Sequence, residues 1–173
     1  MEKAIFAGGC FWSLQKFFDS LDGVVKTTCG YTGGKLKNPT YKQVLNLNTG
    51  HYEAVEVVFD QKIIPYKELV IEFLSFIDPT DNKGQGCDVG DQYKTAIFYL
   101  NNKQKKTAEE LIEKIKTLNI FEKPIAVKIL KAKEFYKAED YHQKYYKNFP
   151  NNYAQYEKYC FRKVNKKLKE LLK

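Results

Sequence analysis

No stretch of the chain approaches the ~20 consecutive apolar residues of a membrane helix, which argues against a spanning segment. The opening Met1-Glu2-Lys3 runs straight into a strand-like segment and lacks a signal-peptide layout, so a cytoplasmic location is expected. Histidine is scarce, with 2 residues, and the 4 cysteines (Cys10, Cys29, Cys87 and Cys160) form no C-x-x-C pair, so no structural zinc site is expected. A domain of this size needs no disulfide framework, and a reducing cytosol would not keep one. The cysteines are then either inert or chemical. The glycine-rich stretches lack the Gly-Lys-Ser/Thr ending of a phosphate loop. Net charge is +8, much of it on Lys163, Lys166, Lys167, Lys169 and Lys173, but no nucleic-acid motif accompanies these lysines. They read as the solvated face of a last helix. No internal repeat and no linker divides the chain.

What is present is one domain over residues 1–173, long enough for a real core and rich in aromatics at 15%. Its organising stretch is Ala4 to Trp12. A short apolar run reads as a buried strand, Gly8-Gly9 as a tight turn, and Phe11, Leu14, Phe18 and Leu21 as one face of a helix. Cys10 then sits at the helix N-terminus, where unpaired N–H groups and the macrodipole favour a thiolate. Cys10 reads equally well as a small buried core residue. Trp12 falls on the side opposite the core stripe, as a binding surface or a half-buried packing residue.

Further along, alternation in Glu53 to Phe59 puts Glu53 on the apolar face of Val55, Val57 and Phe59. A desolvated carboxyl there stays protonated near neutrality and suits general-acid work; the alternative is a strand-mouth carboxylate reaching water or a lysine. Tyr31 and Tyr41 flank a glycine-rich loop, and Asp88 and Tyr93 a polar one, as packing or turn residues or as candidates for a site. Pro65 is expected at the first position of a helix, Asn101 or Asn102 as a cap, and Val164, Leu168, Leu171 and Leu172 as the inner face of the last helix. His142 lies in an aromatic segment as packing or as a base for Cys10, which leaves a cysteine hydrolase open. Strands and helices mix without regular βαβ alternation. The expected fold is α+β: a two-layer sandwich with a mainly antiparallel or mixed sheet packed with helices, and a ferredoxin-like core.

Six ordered motifs share a resemblance. Gly9-Cys10-Phe11-Trp12, Gly30 to Gly34, Pro39-Thr40-Tyr41 with Gly50 to Val55, Asp78-Pro79-Thr80, Gly86 to Tyr93, and Ala138 to Gln143 together resemble the peptide methionine sulfoxide reductase A family. Cys87 stands where that family usually has Asn, and Lys94 where it has Arg. The resemblance implies reduction of the S epimer of methionine sulfoxide, free or in proteins. Cys10 would attack the sulfur and Glu53 would protonate the oxygen. Tyr41 and Tyr93 would orient that oxygen, Phe11 and Trp12 would hold the methyl group, and Asp88 would support the site. A sulfenic acid on Cys10 would then condense with a second thiol, with Cys160 first choice and Cys87 the runner-up. Thioredoxin would restore the dithiol, with no metal or organic cofactor. A monomer is the default expectation.

Overall fold

Period-2 and period-3.6 patterning set most of the elements in the computed structural model, which describes residues 1–173. In chain order they are β1 (Glu2–Ala7), α1 (Phe11–Asp19), β2 (Val24–Thr32), α2 (Tyr41–Asn46), β3 (Tyr52–Phe59), α3 (Tyr66–Phe76), β4 (Gly84–Gln85), β5 (Asp88–Val89) and β6 (Ala96–Tyr99). There follow α4 (Asn102–Leu118), β7 (Lys128–Lys131), β8 (Phe135–Lys137), α5 (Tyr145–Asn148), α6 (Pro150–Tyr159) and α7 (Lys166–Leu172). Side-chain caps start several helices. Asn101 Oδ1 accepts the Gln104 N–H at 2.9 Å, and Thr40 with Gln43 forms a reciprocal capping box before α2. Pro65 is the N-cap of α3 and not its first helical residue, so the helix begins one residue later than proline's preference suggested.

Six strands form one mixed sheet in the order β7-β6-β1-β3-β2-β8, and β4 and β5 form a separate small hairpin. Every pairing in the large sheet is antiparallel except β6 with β7. That parallel pair is joined by α4, as a parallel connection requires a crossover. The fold is therefore α+β, a mixed sheet packed with helices.

One sheet face carries the main core. Ala4 and Phe6 of β1 and Val55, Val57 and Phe59 of β3 pack against Phe11, Leu14 and Phe18 of α1 and the stripes of α3, α4 and α7. The Phe6 ring lies 5.1 Å from Phe18 and 4.8 Å from Phe73, at a separation typical of aromatic pairs. Ile5, Ala7, Ala54, Ala96 and Phe98 point to the other face and form a smaller cluster. In the last helix Leu168 and Leu172 are buried, but Val164 is exposed because the chain becomes helical only at Lys166. Its Lys169 pairs with Glu72 of α3, and Lys173, at its C-cap, pairs with Glu68 at 3.4 Å.

Candidate active site

The site assembles where β1 runs into α1. Gly9 has φ +77°, and a Cβ there would lie 2.7 Å from the Arg162 guanidinium, so the turn needs glycine on both counts. The turn places Cys10 at the N-cap of α1 in extended backbone geometry. The thiol is buried, as expected for one of the two readings of Cys10.

The expectation of a lowered thiol pKa is not met. Burial pushes the Cys10 thiol well above its ordinary value, and the carboxyls of Glu53 and Asp88 push the same way. The Trp12 backbone hydrogen bond and the Arg162 guanidinium pull it down, but less. Desolvation of a buried anion outweighs the amides of one helix end.

Glu53 is 2% exposed and faces the helices with Val55, Val57 and Phe59. Its Oε2 accepts the Phe11 N–H at 3.1 Å, which fixes the carboxyl one residue from Cys10. Burial raises its pKa to about 8, against the pull of that N–H; Asp88 adds to the rise and Arg162 opposes it. At pH 7 the acid is therefore mostly neutral. Burial also raises the Tyr41 and Tyr93 hydroxyls, and both feel Glu53 and Cys10. The Tyr93 carbonyl accepts the Gly9 N–H at 3.1 Å, which ties the polar loop to the cysteine turn.

Asp88 sits toward the C-terminal segment. Its Oδ2 accepts the Tyr156 hydroxyl at 2.5 Å and lies 3.3 Å from Cys160 Sγ. Burial raises its pKa, while Tyr156 and Arg162 lower it. Cys160 is bonded to Cys87, with Cα atoms 4.9 Å apart, and Cys10 and Cys29 are free. A Cβ on Gly86 (φ +58°) would meet the Phe161 carbonyl at 2.7 Å, so the hairpin loop accepts the C-terminal segment only with glycine there.

A scan of family models matches residues 2–171 to the peptide methionine sulfoxide reductase model. The chain belongs to that family.

Among its relatives is the peptide methionine sulfoxide reductase MsrA of Bacillus licheniformis, 51% identical over 155 residues, spanning 90% of this chain and 86% of the relative. Methionine sulfoxide reductase A of Corynebacterium diphtheriae shares its fold with a TM-score of 0.76 at 34% identity, covering 86% of this chain and 75% of that one. Mxr1 of Saccharomyces cerevisiae in reduced form gives 0.84 at 29% identity, covering 95% and 92%. Mxr1 has also been solved in complex with Trx2; that structure matches with a TM-score of 0.58 at 23% identity over 83% and 84% of the two chains. The activity is thiol-dependent reduction of methionine sulfoxide to methionine by an oxidoreductase of this family.

The remaining family motifs pack around the Cys10 turn. Trp12 is not a free surface. Its ring stacks on Tyr145 at 3.7 Å, and its indole N–H donates to His142 Nδ1 at 3.0 Å. His142 is 1% exposed and packs against the rings of Phe11, at 5.0 Å, and Tyr41, at 4.7 Å. Burial lowers its pKa to about 4, partly opposed by Glu139. With Nδ1 occupied by the indole, the ring holds the aromatic wall rather than serving Cys10 as a base. The hydrolase reading therefore lapses. Cys29 is buried, its thiol directed at Gln15 Oε1 (3.2 Å) and the Phe11 carbonyl (3.5 Å), as a structural residue.

Four residues the sequence reading did not single out complete the arrangement. Glu139 accepts the Tyr31 hydroxyl and the Tyr41 N–H, each at 2.9 Å, so one carboxylate fixes the start of the helix that bears Tyr41. Tyr156 holds Asp88, and Gln85 pins the Asp78 backbone through two bonds of 2.8 Å. Arg162 is the only arginine in a chain with 29 Lys and Arg residues together. Its guanidinium donates to the carbonyls of Gly8 (2.7 Å) and Cys10 (3.2 Å) from two different nitrogens, a use of the planar fork that sets arginine apart from lysine. That singularity is the signal that could have found it.

Proposed function

We propose that the chain reduces the S epimer of methionine sulfoxide, free or in proteins, with Cys10 as nucleophile and Glu53 as general acid. One observation carries this reading: a buried carboxyl, mostly neutral at pH 7, is held by the N–H of Phe11 beside the cysteine. The Cys10 sulfur bonds to the substrate sulfur, its thiol proton passing to Glu53 as Glu53 gives its own to the sulfoxide oxygen. The S–O bond then breaks and the oxygen, as hydroxyl, bonds to the Cys10 sulfur, while the bond between the two sulfurs breaks and its electron pair leaves with methionine. Overall Cys10 thiol and sulfoxide become Cys10 sulfenic acid and methionine. Neutral acid at the oxygen is needed because a bare oxide is a poor leaving group. Tyr41 and Tyr93 orient the oxygen, and Phe11 and Trp12 hold the methyl group with sulfur–aromatic attraction of ~0.3–1.5 kcal/mol. A fixed oxygen site beside a fixed methyl site accepts one epimer, in keeping with one reductase per epimer. Asp88 supports the site through Tyr156.

Cys160 is the resolving thiol. It condenses with the sulfenic acid, releasing water, and Cys87 then displaces Cys10 from Cys160. The product of that exchange is the disulfide present in the structure, with Cys10 free again. Arg162, two residues from Cys160, supports this route by anchoring the segment on the Cys10 turn. Thioredoxin is the reductant, a reading supported by the capture of Mxr1 with Trx2. Thiols balance every step, so the scheme requires no cofactor. We place the enzyme in the cytoplasm, where dithiols keep cysteines reduced, as a monomer and a single domain over residues 1–173. The order β6-β1-β3-β2 within β1-α1-β2-β3-α3-β6 supports a ferredoxin-like core.

Single-turnover reduction of separate S- and R-sulfoxides by the pre-reduced protein tests the scheme. Methionine is expected from the S epimer alone, and Cys160→Ser is expected to leave the sulfenic acid unresolved. No methionine from either epimer, in protein shown to be folded and reduced, refutes it.

A further inference from the structure

Exposed apolar residues lie next to both cysteines of the Cys87–Cys160 disulfide along the chain. Val89 is 64% exposed, Tyr159 80% and Phe161 81%. Tyr159 and Phe161 flank Cys160 in the chain, and Val89 follows Cys87 by two residues. Single exposed apolar residues need no explanation, but a set gathered around one reducible bond marks a contact surface. Exposed lysines stand close by in the chain: Lys83 just before the hairpin, and Lys158 and Lys163 on either side of Tyr159 to Phe161.

The two sulfurs are not equivalent. Cys87 is exposed and Cys160 is buried. The Cys87 N–H donates to Cys160 Sγ at 3.1 Å, and the Asp88 carboxyl lies 3.3 Å from the same sulfur. Negative charge arriving on Cys160 therefore meets a backbone donor, and the thiol formed there has the Asp88 carboxyl within reach as its hydrogen-bond acceptor. Access and leaving-group stability choose the sulfur that is attacked in thiol–disulfide exchange.

Building on the function proposed above, we infer that Val89, Tyr159 and Phe161 form the docking face for a protein dithiol reductant whose active-site surface is apolar with an acidic rim, and that its thiolate attacks Cys87. The reductant sulfur bonds to Cys87, the Cys87–Cys160 bond breaks, and Cys160 leaves and takes a proton. The second thiol of the reductant then attacks the mixed disulfide and releases Cys87. Two electrons pass from the dithiol, which leaves as a disulfide, and both enzyme cysteines end as thiols. Cys160, freed first, is the one the next sulfenic acid requires.

The test compares wild type with Tyr159→Ser/Phe161→Ser in turnover supported either by thioredoxin or by dithiothreitol. A tenfold or greater rise in KM for thioredoxin is expected, with dithiothreitol-supported turnover within twofold of wild type. Methionine yield in a single turnover of the pre-reduced variant should be unchanged. Tyr159→Phe with Phe161→Tyr should restore the KM. An unchanged thioredoxin KM overturns the docking face, and so does an equal loss with both reductants. A thioredoxin lacking its second active-site cysteine then traps the mixed disulfide for peptide mapping: trapping on Cys87 is expected, and trapping on Cys160 overturns the assignment. Wild type that makes no methionine when pre-reduced fails the function itself, a result separate from any loss confined to thioredoxin.

Discussion

Replacing Glu53 by Gln keeps the size of the side chain and an oxygen to accept the Phe11 N–H, and removes only the acidic proton. The loss of a positioned general acid is expected to slow single-turnover methionine formation about a hundred- to ten-thousand-fold. Wild-type rate should fall above pH 8, where Glu53 ionises, and the residual rate of the variant should not. The same substitution has an opposite effect on stability. The carboxyl titrates at an ordinary 4.5 in the unfolded chain and at about 8 in the fold. Between these values the folded state holds a proton the unfolded state has released, so stability falls as pH rises through this window and levels off above it. That difference corresponds to about 5 kcal/mol across the window. At roughly 2–4 °C per kcal/mol, the variant should gain about 10–20 °C in Tm relative to wild type between pH 5 and 8.5. Stopped turnover with methionine quantified by chromatography, and thermal melts across pH, read the two effects. A variant within tenfold of wild type in rate, or a Tm difference independent of pH, would refute the assignment of Glu53 as a buried neutral acid.

Arg162→Met should lose both carbonyl contacts, about 1.5–3 kcal/mol for each charged hydrogen bond, and should slow the alkylation of Cys10 by iodoacetamide at a given pH because the cation that lowers the thiol pKa is gone. An unchanged alkylation profile counts against that role. Trp12 is the only tryptophan of the chain, so its emission reports on His142. Acid titration should show a transition near pH 4, as protonation of Nδ1 breaks the indole hydrogen bond, and His142→Asn should abolish it. Because the pKa of His142 is held below its ordinary value, stability from this residue is lost as pH falls from 6.5 toward 4, where the unfolded chain binds the proton first. Cys29→Ser should retain full single-turnover methionine yield, since the Cys29 thiol hydrogen-bonds only Gln15 and the Phe11 carbonyl; a lost yield would put Cys29 in the redox chemistry.

Local patterning determined a good part of this enzyme. The stripe Phe11, Leu14 and Phe18, the alternation that carries Glu53 inward with Val55, Val57 and Phe59, and the Asn101 cap are all set by neighbours within a turn or a strand, and all are legible in the sequence. So is the strand-turn-helix that presents Cys10, because Gly8-Gly9 leaves few alternatives. Other features rest on residues far apart in the chain. Arg162 reaches Cys10 across 152 positions, and Cys160 finds Cys87 across 73. No period or spacing encodes those meetings. The ionisation of Cys10 belongs with them: a helix N-terminus argues for a thiolate, but the depth of burial, set by the packed sheet, helices and C-terminal segment, decides for the thiol. Between the two readings of Trp12, the half-buried packing one is decided in the same way, since Tyr145 and His142 arrive from the far end of the chain to pack on it. Sequence fixes what each residue can do alone or beside its neighbours; charge state and partners wait on the dielectric and the contacts that only the assembled structure supplies.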